Sequence, residues 1–213
     1  MDQFIAALPS TDDGDLALCL EHGAAYQKDQ SALVPYDDAY FNKCAGYEGQ
    51  EICERINAGR VALVGKHYGN GLALDIGIGS GEFIRKRQFT YGVDVNPAGV
   101  RWLLRNGLYA DDVETFHCFT LWDVIEHLRT PAEYFDRMPI GSYLFTSIPI
   151  FKDLRRIRES KHYRPFEHLY YWTEEGFIQW MKLHGFKHLE TQDFESQAGR
   201  DSILSFAFHK WIG

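Results

Sequence analysis

The stretch LALDIGIGSGEF, residues 72–83, decides the fold. Apolar residues surround Asp75, and glycine then occupies Gly77, Gly79 and Gly81. A short apolar run that stops at glycine is typical of a buried strand. Glycine has no Cβ, so it accepts positive φ angles and lets the backbone come close to a ligand. The stretch therefore predicts a buried strand followed by a turn that could hold a small molecule.

Strand and helix patterns alternate along the rest of the chain. The predicted strands are GLALDI, FTYGVDV, LY, TFHCFTLWD, SYLFTSI, FKHLETQDF and SILSFAFHK. The predicted helices are residues 48–66, GEFIRKR, PAGVRWLLRN, PAEYFDRM and TEEGFIQWMKLHG. Strands separated by helices form right-handed βαβ units and a mainly parallel sheet. We therefore predict an α/β fold with a seven-stranded, mainly parallel sheet, helices on both faces and an antiparallel last strand.

Two of the predicted helices carry clear boundary signals. Asn96 suits the N-cap before Pro97, and Gly107 lies just past the end of the same helix. Thr173 suits the N-cap of the last long helix, and Gly185 suits its stop. These signals predict where both helices begin and end.

The N-terminal part of the chain has a different character. Residues 1–46 are polar, and Gly14, Gly23 and Pro35 interrupt any long helix. They predict an N-terminal cap of irregular structure and short helices. Residues 47–213 form the main part, and a chain of 213 residues is long enough for a single domain overall.

Composition excludes several classes of protein. The formal net charge of −8 argues against general nucleic-acid binding, which depends on many basic residues. No run approaches the ~20 apolar residues that span a bilayer. The first residues, MDQFIAALPSTDDGD, lack a basic segment, so we expect no secretory signal and a cytoplasmic protein. The four cysteines are scattered and form no CxxC pair, so we expect reduced thiols.

Two cofactor classes use a glycine turn after a strand. The NAD(P) fingerprint needs a third glycine at a fixed spacing, which this chain lacks, since Phe83 and Ile84 follow the turn. S-adenosylmethionine instead presents an ammonium, a carboxylate and a ribose diol. Asp75 can face the ammonium, and the amides of residues 77–81 can meet the carboxylate. Asp94 lies at the end of the next strand, where it can accept from both ribose hydroxyls. An NAD(P)-dependent oxidoreductase remains the alternative.

Several motifs then resemble the class I S-adenosylmethionine-dependent methyltransferases. LDIGIGSG resembles the first motif of that family, YGVDVNP the second and FTLWDVIEHL the fourth. HYRPFEHLYYWTEEGFIQWMKLHGF resembles the segment that leads into the last large helix. The resemblance runs from about residue 60 to the end. It implies a Rossmann-like sheet and S-adenosyl-L-methionine as the methyl donor.

The resemblance also implies further cofactor contacts. Val95 and Trp122 would flank the adenine, and Asp111 or Asp112 would bond to it. Ile78 belongs to the glycine motif and is predicted to contact the cofactor, although a small residue or cysteine is usual there. The region between Gly107 and the strand at residue 116 is shorter than in the family.

The candidate catalytic residues follow the strand TFHCFTLWD. Asp123, Glu126 and His127 project to one side of a first turn. His127 could act as a base, or these three could bind a divalent metal with a later histidine such as His162 or His168. The resemblance leaves both interpretations open, since some relatives use a similar Glu-x-x-Glu-His arrangement for metal and many metal-free relatives use it to brace a helix. We predict no metal here. We predict His127, Asp123 and His168 as the catalytic residues.

The acceptor is predicted from the segments around this edge. The aromatic stretch from His162 to Trp172 suits a substrate wall, although part of it must pack in the core. Residues 152–164 are rich in Lys and Arg, which suits either a solvated face or an anion-binding patch. Tyr40, in YDDAYF, could close over the cofactor. We predict methyl transfer to a small or modest-sized acceptor. An anionic nucleotide, sugar or metabolite is the candidate class. A non-catalytic scaffold that binds S-adenosylmethionine is a further alternative.

Overall fold

The computed structural model describes residues 11–31, 37–46 and 49–212. Its strands are β1 (Thr11–Asp13), β2 (Leu16–Cys19), β3 (Ala24–Gln27), β4 (Ala73–Ile76), β5 (Thr90–Val93), β6 (Cys118–Trp122), β7 (Tyr143–Pro149), β8 (Tyr170–Trp172), β9 (Phe186–Gln192) and β10 (Ile203–Lys210). Its α-helices are α1 (Asp38–Ala45), α2 (Glu51–His67), α3 (Glu82–Lys86), α4 (Pro97–Arg105), α5 (Pro131–Arg137), α6 (Glu174–Leu183) and α7 (Phe194–Gln197). Short 3-10 turns lie at Val113–Thr115, Ile125–His127 and Leu154–Glu159.

The larger sheet has the predicted mainly parallel character. Its order is β5-β4-β6-β7-β10-β9, with β4, β5, β6 and β7 parallel to one another. The last strand, β10, runs antiparallel to both β7 and β9, as predicted for the end of the chain. The carboxyl ends of the parallel strands therefore meet at one edge, where ligands of such sheets bind.

The strand count differs from the prediction. In the described residues this sheet has six strands, not seven. The LY segment joins β5 only through a single bridge between Gly92 and Tyr109, with the Gly92 N–H donating to the Leu108 carbonyl at 2.9 Å. The Ala110 N–H donates back to the Gly92 carbonyl at 3.0 Å, and the chain then leaves β5 for the 3-10 turn at Val113–Thr115 without a second bridge.

Helices cover both faces of this sheet, as predicted. On one face, buried residues of α5 and α6 such as Phe135, Phe177 and Trp180 join the largest core cluster. On the other face, Leu63 of α2 and Phe83 of α3 pack with side chains of β6, β7 and β10. Among the described residues, no helix combines the length and apolarity that a membrane crossing requires.

The N-terminal residues form a second sheet that the sequence analysis did not predict. Strands β1, β2, β3 and β8 pair antiparallel in that order, where an irregular cap with short helices was expected. Strand β8 lies at the edge of this sheet beside β3, and Ala24 of β3 pairs with Trp172 of β8. Each strand is only three or four residues long, too short to give a clear alternating pattern.

The small sheet packs on the segment that follows β7. Leu16, Leu18 and Ala25 form a core cluster with side chains of residues 151–171. Gln27 also donates to the buried hydroxyl of Tyr171 at 2.9 Å. The N-terminal strands and this segment therefore form one structural layer.

The predicted helix caps are confirmed. The Asn96 side chain accepts from the Ala98 N–H at 2.9 Å, and Pro97 is the first residue of α4. The Thr173 hydroxyl accepts from the Gly176 N–H at 3.1 Å at the start of α6. Gly185, after the end of α6, has a φ of 84°, the left-handed conformation expected of a helix stop.

Candidate functional site

The glycine turn lies between β4 and α3 at the carboxyl edge of the larger sheet. Gly77, Gly79 and Gly81 have φ values of 78°, 56° and 79°, a region that side chains disfavour. A Cβ on Gly77 would come within 2.6 Å of Val124, and one on Gly81 within 2.8 Å of Trp102. A Cβ on Gly79 would meet nothing within 4 Å. Gly77 and Gly81 therefore let the turn pack closely against Val124 and Trp102, whereas Gly79 faces open space.

Asp94 lies directly beside this turn. It follows β5, and its carboxylate accepts from the Asn96 N–H at 2.7 Å. Burial raises the pKa of Asp94, and hydrogen bonds from the N–H groups of Asn96, Ile78, Val95 and Gly79 oppose that rise. The structure thus brings together the acid and the glycine turn that the sequence analysis placed on two separate strands.

Asp75 is buried beneath the turn, with only 1% of its surface exposed. The Thr120 hydroxyl donates to it at 2.5 Å. Burial raises the pKa of Asp75 to about 7, and the Thr120 hydrogen bond and the charge of Arg60 lower it in part. An ammonium group placed near this carboxyl would favour its ionised form.

We expect Asp75→Asn to change how stability depends on pH. The pKa of Asp75 is about 7 in the folded protein, against an ordinary value of 3.8. Between these values the unfolded chain has lost the proton while the folded chain keeps it. The free energy of unfolding of the ligand-free protein therefore falls as pH rises, by up to about 1.4 kcal/mol per pH unit.

The asparagine variant should lack this part of the pH dependence, because an amide does not titrate and can still accept the Thr120 hydrogen bond. Urea unfolding of both proteins from about pH 4 to about pH 8 measures the difference. Equal slopes in wild type and variant would contradict a raised pKa at Asp75.

The residues predicted to surround the adenine lie in different environments. Val95 is 75% exposed beside Asp94. Trp122 is 6% exposed, packs edge-on against Phe83 and lies beneath the Arg60 guanidinium at 4.8 Å. The Ile78 side chain is buried with Ile84 and Leu103, so only its backbone faces Asp94.

The other predicted cofactor residues are on the surface. Asp111 is exposed and accepts from the Tyr109 hydroxyl at 3.2 Å. Asp112 is also exposed. Tyr40 belongs to α1, which the Asn96 side chain ties to the site by donating to the Asp37 carbonyl at 2.7 Å. Tyr36, at the start of the predicted YDDAYF segment, lies outside the described residues.

The predicted catalytic histidines come together beyond β6. The rings of His127 and His168 meet edge to face, with centroids 4.7 Å apart. The His127 Nδ1 donates to the Glu167 carbonyl at 2.8 Å. Burial lowers the pKa of both histidines, that of His168 to about 3, which favours the neutral form of each ring. His162, the other candidate, instead bonds through Nε2 to the Asp201 carbonyl at 2.6 Å.

Glu126 lies with these two histidines. One ligand atom each from Glu126, His127 and His168 lies within 4.8 Å of the others. Burial, and then the charge of Asp123, raises the pKa of Glu126 well above its ordinary range. We call Glu126, His127 and His168 the acceptor-side cluster.

Asp123, the third predicted catalytic residue, belongs to an ion-pair network. It follows β6 with a φ of 56°, and two arginines hold its carboxylate. Arg200 donates to both oxygens at 2.9 Å and Arg60 to one at 3.1 Å. Burial alone would raise the pKa of Asp123, but Arg200 and Arg60 outweigh it and hold that pKa well below its usual range. Such a carboxylate is a poor proton acceptor.

Arg60, Arg200 and Glu195 are site residues that sequence reasoning missed. Glu195, from α7, is fully buried and accepts from Arg60 Nε at 2.8 Å and also from Arg200. Ser205 donates to the same carboxylate at 3.3 Å. We call Arg60, Asp123, Glu195 and Arg200 the arginine–carboxylate cluster. Arg60 and Asp123 lie far in sequence from each other and from Glu195 and Arg200, so no local motif marks this cluster.

The basic run at residues 152–164 is paired with acids. Within it, Arg155 pairs with Asp153 at 3.0 Å and Arg156 pairs with Glu159. The Arg158 guanidinium pairs with Asp15 at 2.7 Å. Of the two interpretations of this run, the contacts favour the solvated charged face.

The residues at the glycine turn fit S-adenosylmethionine. A side chain at position 79 would occupy the open space above the turn, and glycine leaves that space available to a ligand. The N–H groups of Ile78 and Gly79 donate to the Asp94 carboxylate, which holds this acid beside the open face of Gly79. The exposed Val95 side chain offers an apolar surface next to them.

Comparisons with known proteins identify the family of this chain. Residues 47–191 match a protein family described as "Methyltransferase domain". The fold is similar to an S-adenosylmethionine-dependent methyltransferase from Thermotoga maritima, at 14% identity and a TM-score of 0.60, over 81% of this chain and 96% of that one. No curated protein matches the chain.

A second similar structure carries ligands. It is 1,6-didemethyltoxoflavin-N1-methyltransferase from Burkholderia thailandensis, with bound 1,6-didemethyltoxoflavin and S-adenosylhomocysteine. It is 15% identical, with a TM-score of 0.54, over 97% of this chain and 100% of that one. At such identities the structural likeness supports the fold, whereas the family match covers most of the chain.

Proposed function

The chain belongs to the class I S-adenosylmethionine-dependent methyltransferases, and we propose that it methylates a small or modest-sized acceptor. One observation carries this proposal. The bare face of Gly79 lies next to the Asp94 carboxylate, which accepts from the N–H groups of Ile78 and Gly79. The family match gives no support to an NAD(P)-dependent oxidoreductase.

We assign the cofactor-binding roles as follows. Asp94 accepts from the ribose hydroxyls. The predicted contact between the amides of residues 77–81 and the carboxylate of the amino-acid end would use only part of the turn, because the Gly77 and Gly81 N–H groups already donate to the Val93 and Ile78 carbonyls at 2.8 Å. Asp75 favours the ammonium through its negative charge. Val95 packs on the adenine, with Asp111 beyond it. Trp122, Ile78 and Tyr40 remain predicted contacts, of which Ile78 would act through its backbone.

The acceptor is proposed to bind beyond β6, next to Asp123 and His127. S-adenosylmethionine supplies a methyl group that is already activated by its sulfonium. The protein must align the acceptor with that methyl group and exclude water, which can lower the barrier by up to about 7–11 kcal/mol. We assign Asp123 a positioning role, since the arginines fix its carboxylate. A histidine that takes the acceptor's proton would add about 10²–10⁴-fold; His127 and His168 are the predicted candidates.

The identity of the acceptor and the cytoplasmic location stay predictions. An anionic acceptor draws no support from the run at residues 152–164, because its arginines pair with acids. Arg200 is the better candidate to bind an anionic group of the acceptor, because its side chain is partly exposed beside Asp123.

Calorimetry with S-adenosylhomocysteine tests the proposed function directly. We expect wild type to bind this product and reduced nicotinamide cofactors to give no signal. Gly79→Ala should weaken binding of the product at least about tenfold, because the added Cβ occupies the open face of the turn.

Gly107→Ala is the matched control. Gly107 also has a positive φ, 65°, and a Cβ there would meet nothing within 4 Å, but it follows α4 on the surface. Each variant should lose roughly 1–2 kcal/mol of stability from the left-handed conformation, and only Gly79→Ala should lose affinity. Equal affinities in the two variants would overturn the assignment of the turn.

A further inference from the structure

Arg200 connects the buried arginine–carboxylate cluster with the surface of the acceptor side. The side chain of Glu195 is 0% exposed and that of Arg60 is 12% exposed, whereas that of Arg200 is 31% exposed. Arg200 lies in the loop after α7 and contacts Asp123, which follows β6 at the carboxyl edge of the larger sheet. A molecule bound at this edge can therefore reach Arg200 more easily than Arg60.

One edge of the Arg200 guanidinium carries two N–H groups that have no partner among the described residues. Its Nη1 donates to Asp123 Oδ2 and to Glu195, and its Nη2 donates to Asp123 Oδ1 at 2.9 Å. A guanidinium has five N–H groups in a planar fork, so these three bonds leave the Nε–H and the second N–H of Nη2. Those two groups lie side by side and point in the same direction, which is the arrangement that binds both oxygens of a carboxylate.

The loop after α7 holds this edge in a fixed orientation. The Arg200 N–H donates to the Glu195 carbonyl at 2.9 Å, and Arg60 Nε donates to the Glu195 carboxylate at 2.8 Å. The carbonyl of the next residue, Asp201, accepts from the His162 ring at 2.6 Å. A donor pair that is already fixed loses little freedom when a ligand binds, which favours affinity.

The charges around Arg200 are compatible with a further anion. Within the arginine–carboxylate cluster, two guanidinium groups balance the two carboxylates of Asp123 and Glu195. Burial, and then the charge of Asp123, raises the pKa of Glu126 well above its ordinary range, which favours the neutral form of this neighbouring carboxyl. An anionic acceptor therefore meets no net repulsion from the cluster.

The side chains near Arg200 are weak bases. Burial lowers the pKa of His127 and His168, and the two arginines hold the pKa of Asp123 well below its usual range against the opposing effect of burial. A hydroxyl acceptor needs a base to take its proton. A carboxylic acid has already lost its proton at neutral pH, because its ordinary pKa is about 4. The site therefore suits an acceptor that is a nucleophile without help from a base.

We propose that the acceptor is a carboxylic acid, that Arg200 binds its carboxylate through the free guanidinium edge, and that this carboxylate is converted to a methyl ester. The proposal rests on the proposed function, because it takes S-adenosylmethionine as the methyl donor. A carboxylate oxygen forms the bond to the methyl carbon as the bond from that carbon to sulfur breaks, and the electron pair of the broken bond stays on sulfur. The products are a methyl ester and S-adenosylhomocysteine. No proton moves, so the base role predicted for His127 and His168 is not required.

The test uses S-adenosylmethionine with a radioactive methyl group. Wild type is incubated with a panel of aromatic and aliphatic carboxylic acids, with the carboxamide of each acid, and with a deproteinised cell extract. We expect label that alkali releases as methanol, because alkali hydrolyses methyl esters and leaves methyl ethers and methylamines intact. The carboxamides should accept no label.

Arg200→Lys tests the residue itself, since lysine keeps the charge and lacks the planar fork. We expect KM for the best acid of the panel to rise by about tenfold or more, with the affinity for S-adenosylhomocysteine unchanged. Arg155→Lys, at an exposed position paired with Asp153, is the matched control and should keep the wild-type KM. The measurement on wild type remains decisive if Arg200→Lys does not fold.

The outcomes are distinct from those that test the methyl donor. Label only in products that alkali leaves intact, or no transfer by a protein that binds S-adenosylhomocysteine, would overturn the carboxylate acceptor and leave the cofactor site standing. Equal KM values in Arg200→Lys and wild type would remove Arg200 from the acceptor site. Failure of wild type to bind S-adenosylhomocysteine would instead overturn the proposed function.

Discussion

Replacing Asp94 with alanine is expected to weaken the binding of S-adenosylhomocysteine by about 100-fold or more. The carboxylate is proposed to accept from both ribose hydroxyls, and hydrogen bonds to charged groups contribute about 1.5–3 kcal/mol each. Asp94 is partly buried beside the glycine turn, so water replaces the lost acceptor poorly. Calorimetry measures the affinity, and circular dichroism verifies that the variant is folded.

Asp94→Asn makes this prediction sharper. The amide keeps the size of the side chain and one acceptor oxygen but loses the charge, so we expect an intermediate loss of about tenfold. Asp153→Ala, on the surface next to Arg155, serves as the control and should leave the affinity unchanged. Wild-type affinity in Asp94→Ala would remove the central contact from the proposed cofactor site.

Glu195→Ala is expected to cost about 3–5 kcal/mol of stability, the usual effect of removing one partner from a buried ion pair. Glu195 is fully buried and accepts from both Arg60 and Arg200. Its removal leaves two guanidinium groups with only Asp123 to balance them. In a chain of this size we expect the melting temperature to fall by about 10 °C.

The effect should reach the acceptor side as well. Without Glu195, the two arginines that hold Asp123 lose their second anchor, so methyl transfer should slow even where the protein is folded. Glu159→Ala, which breaks the exposed pair with Arg156, should leave the melting temperature unchanged. If the two variants melt alike, the arginine–carboxylate cluster contributes nothing special to stability.

The sequence predicted the parts of this fold that depend on neighbouring residues. The glycine turn, the strand before it and the caps at Asn96 and Thr173 each use residues only a few positions apart. The helices α4 and α6 were predicted for the same reason. Local steric and hydrogen-bonding rules suffice at such positions.

Features that join distant segments were not predicted. Strand β3 pairs with β8, and nothing in residues 24–27 signals that partner. Arg60 and Glu195 meet across 135 positions of sequence. Asp123 illustrates the same limit, since its motif suggested catalysis while the arginines that lower its pKa come from α2 and from the loop after α7. Burial and charge at such places are properties of the assembled chain.

The pairing of β3 with β8 has a consequence for biosynthesis. A ribosome delivers Ala24 long before Trp172, so the N-terminal strands emerge without the partner that completes their sheet. Contacts between residues far apart in the chain form slowly, because a long loop must close first. Until then Leu16, Leu18 and Ala25 lack the apolar cover that residues 151–171 later provide. The nascent chain is therefore most exposed to misassociation and chaperone capture before Trp172 leaves the exit tunnel.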